Sequence, residues 1–271
     1  MEHVVFLDSG VGGLPYLFHF LERNPGIGAT YLADNAYFPY GTKTETQLKA
    51  ILKENMENYI LPLNPLIIVL ACNTASVVGL DFLRQTYPEI SFVGTVPAIK
   101  PAALNSKKRS LGVLATTRTI SDPYIDSLYN RYAPGFTLVK CPVDRLVSRI
   151  ELSRPGVSVK VDDIVQQAKQ EFVQGQVDQV VLGCTHFLHV HEELGEYFGP
   201  GITLVDSRDG ISRRIEHLMN NPQKLDQPAF PKEADPVIPR LIHTGKQKPG
   251  PLFQWLIDQK KLVSGEVSNG Q

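Results

Sequence analysis

Two of the three cysteines stand in nearly the same sequence context. Cys72 ends the apolar run in LIIVLACNTAS (66–76), and Cys184 ends the one in QVVLGCTHF (179–187). A small residue precedes each cysteine and polar residues follow at once. Apolar runs of this length, rich in β-branched residues, suit strands buried on both faces of a parallel sheet. Each thiol is then expected where a strand ends and a helix begins, the edge at which α/β proteins bind ligands. A helix start favours thiolate through its dipole and free N–H groups. One buried cysteine is commonly only a small hydrophobe; two at equivalent strand ends point to chemistry. Cys141 lacks this context and is expected to pack.

Two opposed thiols suit one kind of reaction. A pair of acid–base groups on opposite faces of a carbon takes a proton from one side and returns one to the other, inverting the carbon. One cysteine acts as thiolate while the other supplies a proton, and the roles swap with direction. No lysine motif for a pyridoxal Schiff base accompanies them, so a reaction without a cofactor is expected.

The other candidates each carry a plainer reading beside the functional one. Asp8-Ser9 closes the apolar run HVVFL, where an aspartate is either a helix cap or a group that tunes a thiol or orients an amine. Gly10, Gly12 and Gly13 follow. With Asp34 downstream they invite a dinucleotide reading, but Pro15 occupies the third glycine position, and a nest for a carboxylate fits at least as well. Asn73, Thr74, Thr116, Thr119 and Thr185 are either caps or donors for a small polar zwitterion. His186, His189 and His191 beside Cys184 resemble a metal cluster, yet the spacing is not an established zinc pattern, and no metal is expected. His186 is the better catalytic candidate, and His189 and His191 are expected to be solvated. Glu151, near a Pro-Gly turn, reads from the residues alone as surface.

The elements that position these groups alternate. Strands are expected at 3–7, 29–32, 66–71 and 90–93, with helices at 14–22, 44–59 and after Cys72; the loop 35–42 carries Pro39-Tyr40-Gly41. A second series begins near 111: strands at 111–114, 136–139, 179–183 and 202–205, with helices reaching 132, at 161–173 and after His186. Such alternation argues for parallel sheets. VVFLDSG matches LGVLATT and LACNT matches LGCTH at similar offsets, a weak internal repeat. The expected class is α/β, with two pseudo-symmetric parallel-sheet domains and an active site in the cleft between them. The stretch 221–251 holds seven prolines and reads as an extended wrap with one strand at 240–242. A last helix is expected at 252–257 and a frayed, polar tail at 264–271.

Composition excludes several classes. The 271 residues allow one large α/β domain or two small ones. Hydrophobic content of 42% and charge of 20% are ordinary. A formal charge of −1 predicts no general affinity for nucleic acid or anionic membrane. No apolar run nears the roughly 20 residues of a membrane helix, and MEHVVFLDSG does not read as a secretory leader. An odd number of cysteines makes no disulfide framework. A cytoplasmic protein is expected.

In order, FLDSGVGG, YLADNAYFPYG, VLACNTAS, VLGCTHF and VDS resemble the aspartate/glutamate racemase superfamily, and within it the glutamate racemases, over nearly the whole chain. LIHTGKQKPGPLFQWL is similar to the closing strand and helix of that family. The resemblance implies interconversion of L- and D-glutamate for peptidoglycan, without a cofactor. It also implies that the C-terminal segment returns to the first domain, dividing the chain into 1–97 plus 208–271 and 98–207. Cys72 would take the proton from D-glutamate and Cys184 from L-glutamate, with Asp8 and His186 assisting. Asp8, Ser9, Pro39, Tyr40, Gly41, Asn73, Thr74, Thr116, Thr119, Thr185 and His186 would hold substrate. Glu151 falls where the family has a glutamate that partners the histidine. A racemase of aspartate or another small amino acid is the alternative. The expected partners are the small-molecule substrate and a second copy of the chain. Departures from the family pattern are His186-Phe187-Leu188-His189 in place of His-Tyr-Pro-Leu, the segment VGTVPAIKPA, and Arg118.

Overall fold

Strands that are apolar at every position need cover on both faces, and the computed structural model supplies it. It describes residues 4–221, 239–245, 250–260 and 263–264. The first series runs β1 (Val4–Asp8), α1 (Leu14–Arg23), β2 (Ala29–Ala33), α2 (Glu45–Asn55), β3 (Ile67–Leu70), α3 (Asn73–Thr86) and β4 (Ser91–Gly94). After α4 (Ile99–Asn105) comes the second: β5 (Ser110–Ala115), α5 (Thr117–Ile120), α6 (Pro123–Tyr132), β6 (Thr137–Pro142), α7 (Asp144–Glu151), α8 (Asp162–Gln174), β7 (Gln179–Leu182), α9 (His191–Phe198) and β8 (Thr203–Val205). The chain closes with α10 (Arg208–Met219), β9 (Arg240–His243), α11 (Pro251–Lys260) and β10 (Val263–Ser264).

Two parallel sheets result. In the first the order is β10-β9-β2-β1-β3-β4, and in the second β6-β5-β7-β8. Without β9 and β10 the two orders are the same: second, first, third and fourth strand of the series. Register sets the site. Leu7 pairs with Leu70 and Leu114 with Leu182. Asp8 and Cys72 therefore leave the first sheet at one edge, and Thr116 and Cys184 leave the second at its equivalent. The ladders continue one step further, from Ala71 N–H to Leu7 O (2.8 Å) and from Gly183 N–H to Leu114 O (2.7 Å).

Local chemistry starts several helices. Thr44 and Gln47 form a reciprocal capping box at α2. Asp122 caps α6 ahead of Pro123. The C-terminal strand β9 pairs with β2, Tyr31 facing Leu241, so the first sheet is completed from the far end of the chain. Helix α10 packs on α1, where Arg23 grips Glu216 through Nε (2.7 Å) and Nη2 (2.9 Å). One apolar cluster runs from Phe6 and Phe20 of the first half to Phe172 and Phe187 of the second.

Some expectations change. The segment 143–151, given no element from sequence, contains helix α7, whose buried face is Leu146, Val147 and Ile150. Helices α4 and α10 were likewise not expected. The loop 35–42 holds two 3-10 turns, Asn35–Tyr37 and Tyr40–Thr42. The long helix 44–59 becomes α2 followed by a π-type turn, Met56–Ile60. A 3-10 turn, Thr185–Val190, follows Cys184 before α9 begins. Most of the proline-rich wrap at 221–251, and the tail after 264, lie outside the described residues. No helix among the described residues is long and apolar enough to cross a membrane.

Candidate active site

The two cysteines occupy matching positions. Cys72 precedes α3 with φ −138° and ψ 121°; Cys184 precedes the 3-10 turn with φ −139° and ψ 132°. Both line one cavity of about 250 Å³ between the sheet edges. Ser9, Pro39, Tyr40 and Gly41 line it from the first half with Asn73 and Thr74. Thr116, Thr185 and His186 line it from the second. Asp8, Glu151 and Thr119 are buried and are not part of this lining. Helix α7 adds Asp144, Arg145, Val147 and Ser148 to the wall, a contribution absent from the sequence reading.

Asp8 accepts hydrogen bonds from the Gly10 N–H (2.9 Å) and, across the cleft, from the Thr185 hydroxyl (3.0 Å). Burial raises its carboxyl to about 6, against the lowering pull of His186 and these donors. Burial also lifts the Cys72 thiol well above its ordinary range, and the nearby Asp8 carboxylate adds to this; the N–H groups of Ala75 and Thr74 oppose it from the start of α3. Burial pulls His186 down, but contacts with Cys184 and Glu151 outweigh it, and the imidazole ends well above its usual value. Glu151 Oε2 lies 2.9 Å from His186 Nε2 and accepts the Val11 N–H at 3.2 Å. Glutamate 151, read from the residues alone as surface, is therefore buried beside the histidine, as the resemblance implied.

The glycines have a different use from a dinucleotide cradle. A Cβ on Gly10 would stand 2.8 Å from both carboxylate oxygens of Glu151, and one on Gly12 would land on His186 and Thr185. The loop is bare where the second half presses against it. One N–H of the loop, that of Val11, bonds the Glu151 carboxylate (3.2 Å), and that of Gly10 bonds Asp8. Tyr31 pins the loop from beneath, donating to Gly10 O (2.7 Å) and accepting from Gly13 N–H (3.0 Å).

On the far wall, the Thr74 hydroxyl lies 3.3 Å from those of Thr116 and Thr119, joining the halves. Both polar atoms of the Asn73 side chain are buried without a partner among the described residues. Tyr40 is held by Asp34, to which its hydroxyl donates at 2.6 Å; Asn55 (2.7 Å) and Thr244 donate to the same carboxylate. This cluster escaped the sequence reading, although Asp34 directly follows β2. Cys141 is buried in the apolar cluster that spans both halves, 3.3 Å from Glu171. His189 is corrected: it is half-buried and its Nε2 donates to Val11 O at 2.9 Å. His191, also expected to be solvated, is half-buried at the start of α9. Among the described residues no group of three or more His, Cys, Asp or Glu side chains is placed to hold a metal ion.

A sequence model of the Asp/Glu/hydantoin racemase family matches residues 31–210. The glutamate racemase of Sphingopyxis alaskensis is 36% identical over 252 residues, covering 92% of this chain and 91% of that protein. That of Treponema pallidum is 39% identical over 217 residues, 79% and 80% of the two. Among solved structures, Escherichia coli glutamate racemase in complex with L-glutamate and the activator UDP-MurNAc-ala aligns with a TM-score of 0.79 at 31% identity, over 98% of each chain. The Bacillus anthracis glutamate racemase isoform RacE1 shares the fold, with a TM-score of 0.80 at 21% identity over 99% and 98%.

Proposed function

The chain belongs to the Asp/Glu/hydantoin racemase family, and on that premise we propose that it is a glutamate racemase, an isomerase that interconverts L- and D-glutamate by proton transfer between two thiols. The observation that carries the reading is the pair of cysteines with matching backbone geometry in one cavity. In the L-to-D direction, the Cys184 sulfur takes the Cα proton and the Cys72 thiol delivers one to the opposite face. In the D-to-L direction the roles exchange. His186, cationic, is the counter-ion beside Cys184 as charge moves there, and Glu151 holds its ring. Asp8 assists on the Cys72 side.

The carbanion formed at Cα is the costly intermediate, and its charge spreads into the α-carboxylate. N–H and hydroxyl donors fixed around the cavity by Ser9, Asn73, Thr74 and Thr185 suit that group, and donors already oriented need no rearrangement as charge develops. The unpaired Asn73 side chain supports a polar ligand there. The finer biological reading is that the product serves peptidoglycan synthesis in the cytoplasm, with a homodimer as the assembly. The division at 1–97 plus 208–271 and 98–207 is also proposed, supported by β9 lying beside β2.

Purified protein with no added cofactor, given L-glutamate or L-aspartate and followed by circular dichroism, tests the substrate. Loss of optical activity with glutamate, and slower loss with aspartate, is expected. Turnover of aspartate alone would keep the chemistry and overturn the substrate.

A further inference from the structure

Three-residue spacing has a consequence in a 3-10 turn: residues i and i+3 eclipse one another. His186 and His189 stand at that spacing in Thr185–Val190, so both rings face the first half. His186 lies against Gly12 of that half and meets Glu151 of its own. His189 reaches past it to the glycine loop, placing Nε2 2.9 Å from Val11 O.

The contacts close a ring. His189 holds the Val11 carbonyl, Glu151 holds the Val11 N–H (3.2 Å), and Glu151 holds His186 (2.9 Å). Both backbone polar groups of a fully buried residue are thus gripped by side chains from the other half. The rest of the loop is fixed from its own side by Tyr31 at Gly10 and Gly13. Val11 is the point at which the second half fixes it.

Since a carbonyl carries no proton, the bond requires hydrogen on His189 Nε2. The groups facing this ring are His186, Glu151 and Arg208, together with the Val11 carbonyl. Burial lowers its pKa to about 4, and the neighbouring His186 and Arg208 add to this. The ring is neutral near pH 7 and offers one N–H. Val11 O also accepts the Leu14 N–H at 3.1 Å, so the carbonyl keeps a partner without His189, and the fold does not require the histidine to satisfy it.

We infer that His189 is a positioning residue of the racemisation site, whose Nε2–H fixes Val11 and so holds the Glu151–His186 pair in register with Cys184. The inference rests on the racemase reading and adds a residue to it. It acts on the chemical step, because the substrate donors on Asn73 and Thr74 belong to α3, which the ring does not touch.

The test compares His189→Leu, which removes the donor, with His189→Gln, whose amide N–H reaches a similar place. The leucine variant is expected to lose about tenfold in kcat, the scale of one hydrogen bond in a polar network, with KM little changed, and the glutamine variant to recover most of the loss. Unchanged kcat in the leucine variant overturns the inference, as does a glutamine variant no better than leucine. A second readout needs no turnover: 15N spectra of the imidazoles in the unaltered protein. A neutral Nε2–H tautomer of His189 at pH 6 to 8 supports the inference, and an Nδ1–H tautomer overturns it. Failure of the racemase reading is separately visible as no turnover in the unaltered protein.

Discussion

A carboxyl buried as completely as Asp8 is costly to ionise. The folded protein holds its proton up to about pH 6, whereas an unfolded chain releases it near ~4. The cost is therefore absent below ~4 and fully present above about 6. Replacing Asp8 by Asn removes it. Relative to the unaltered protein, Asp8→Asn should gain stability between pH 4 and 7, by up to about 3 kcal/mol, read by urea unfolding at the two ends of the range. A pH-independent difference would mean that Asp8 is not held protonated. The donors around it (Gly10 N–H, Thr185 hydroxyl) are arranged for the carboxylate, so the same substitution should also lower kcat. At this scale the sequence was informative where a residue ends a strand: Cys72, Cys184 and Asp8 all stand out that way. It was silent where partners are remote in the chain. Glu151 meets His186 and Val11 from 35 and 140 positions away, and only the resemblance pointed to it. His189 looks like any polar residue on a surface turn until Val11 is placed beside it.

Between elements, the glycine loop before α1 closely approaches the 3-10 turn after Cys184. Any Cβ on Gly12 meets the His186 ring and the Thr185 hydroxyl. Gly12→Ala should displace both groups and lower kcat about tenfold or more, since small misplacements of catalytic groups are costly. Gly201→Ala, where a Cβ meets nothing within 4 Å, should leave kcat unchanged. Equal activity in the two variants, with far-UV circular dichroism confirming the fold, would contradict the close contact. The strands were legible because each is a short apolar run ended by small or polar residues. Helix α7 was not: its eight residues include two acidic and two basic side chains, which mask the apolar face that Leu146, Val147 and Ile150 present. The turn after Cys184 was read as a helix. Phe187, Leu188 and Val190 are all buried there, and burial nearly all round leaves no wet face for the amphipathic pattern to reveal.

The molecule as a whole is two copies of one strand order facing each other across a cleft, with the C-terminal strand β9 fastened onto the first. Repetition explains why one site carries two thiols: each unit contributes the cysteine at the end of its third strand. Cross-cleft bonds from Thr185 to Asp8 and from Glu151 and His189 to Val11 hold the units together on the Asp8 side. Thr74, Thr116 and Thr119 do so on the opposite wall. The proposed reaction is proton transfer with inversion, in which the proton removed and the proton delivered sit on different sulfurs. The most direct measurement follows L-glutamate in D2O at low conversion, with Cα deuterium read by NMR separately in the two enantiomers. The D-glutamate formed should carry deuterium at Cα while the remaining L-glutamate stays protiated, because Cys72 delivers a solvent-derived proton and Cys184 keeps the one it took. D-glutamate that retains protium, or L-glutamate that gains deuterium as fast as D-glutamate forms, would mean that a single base serves both faces.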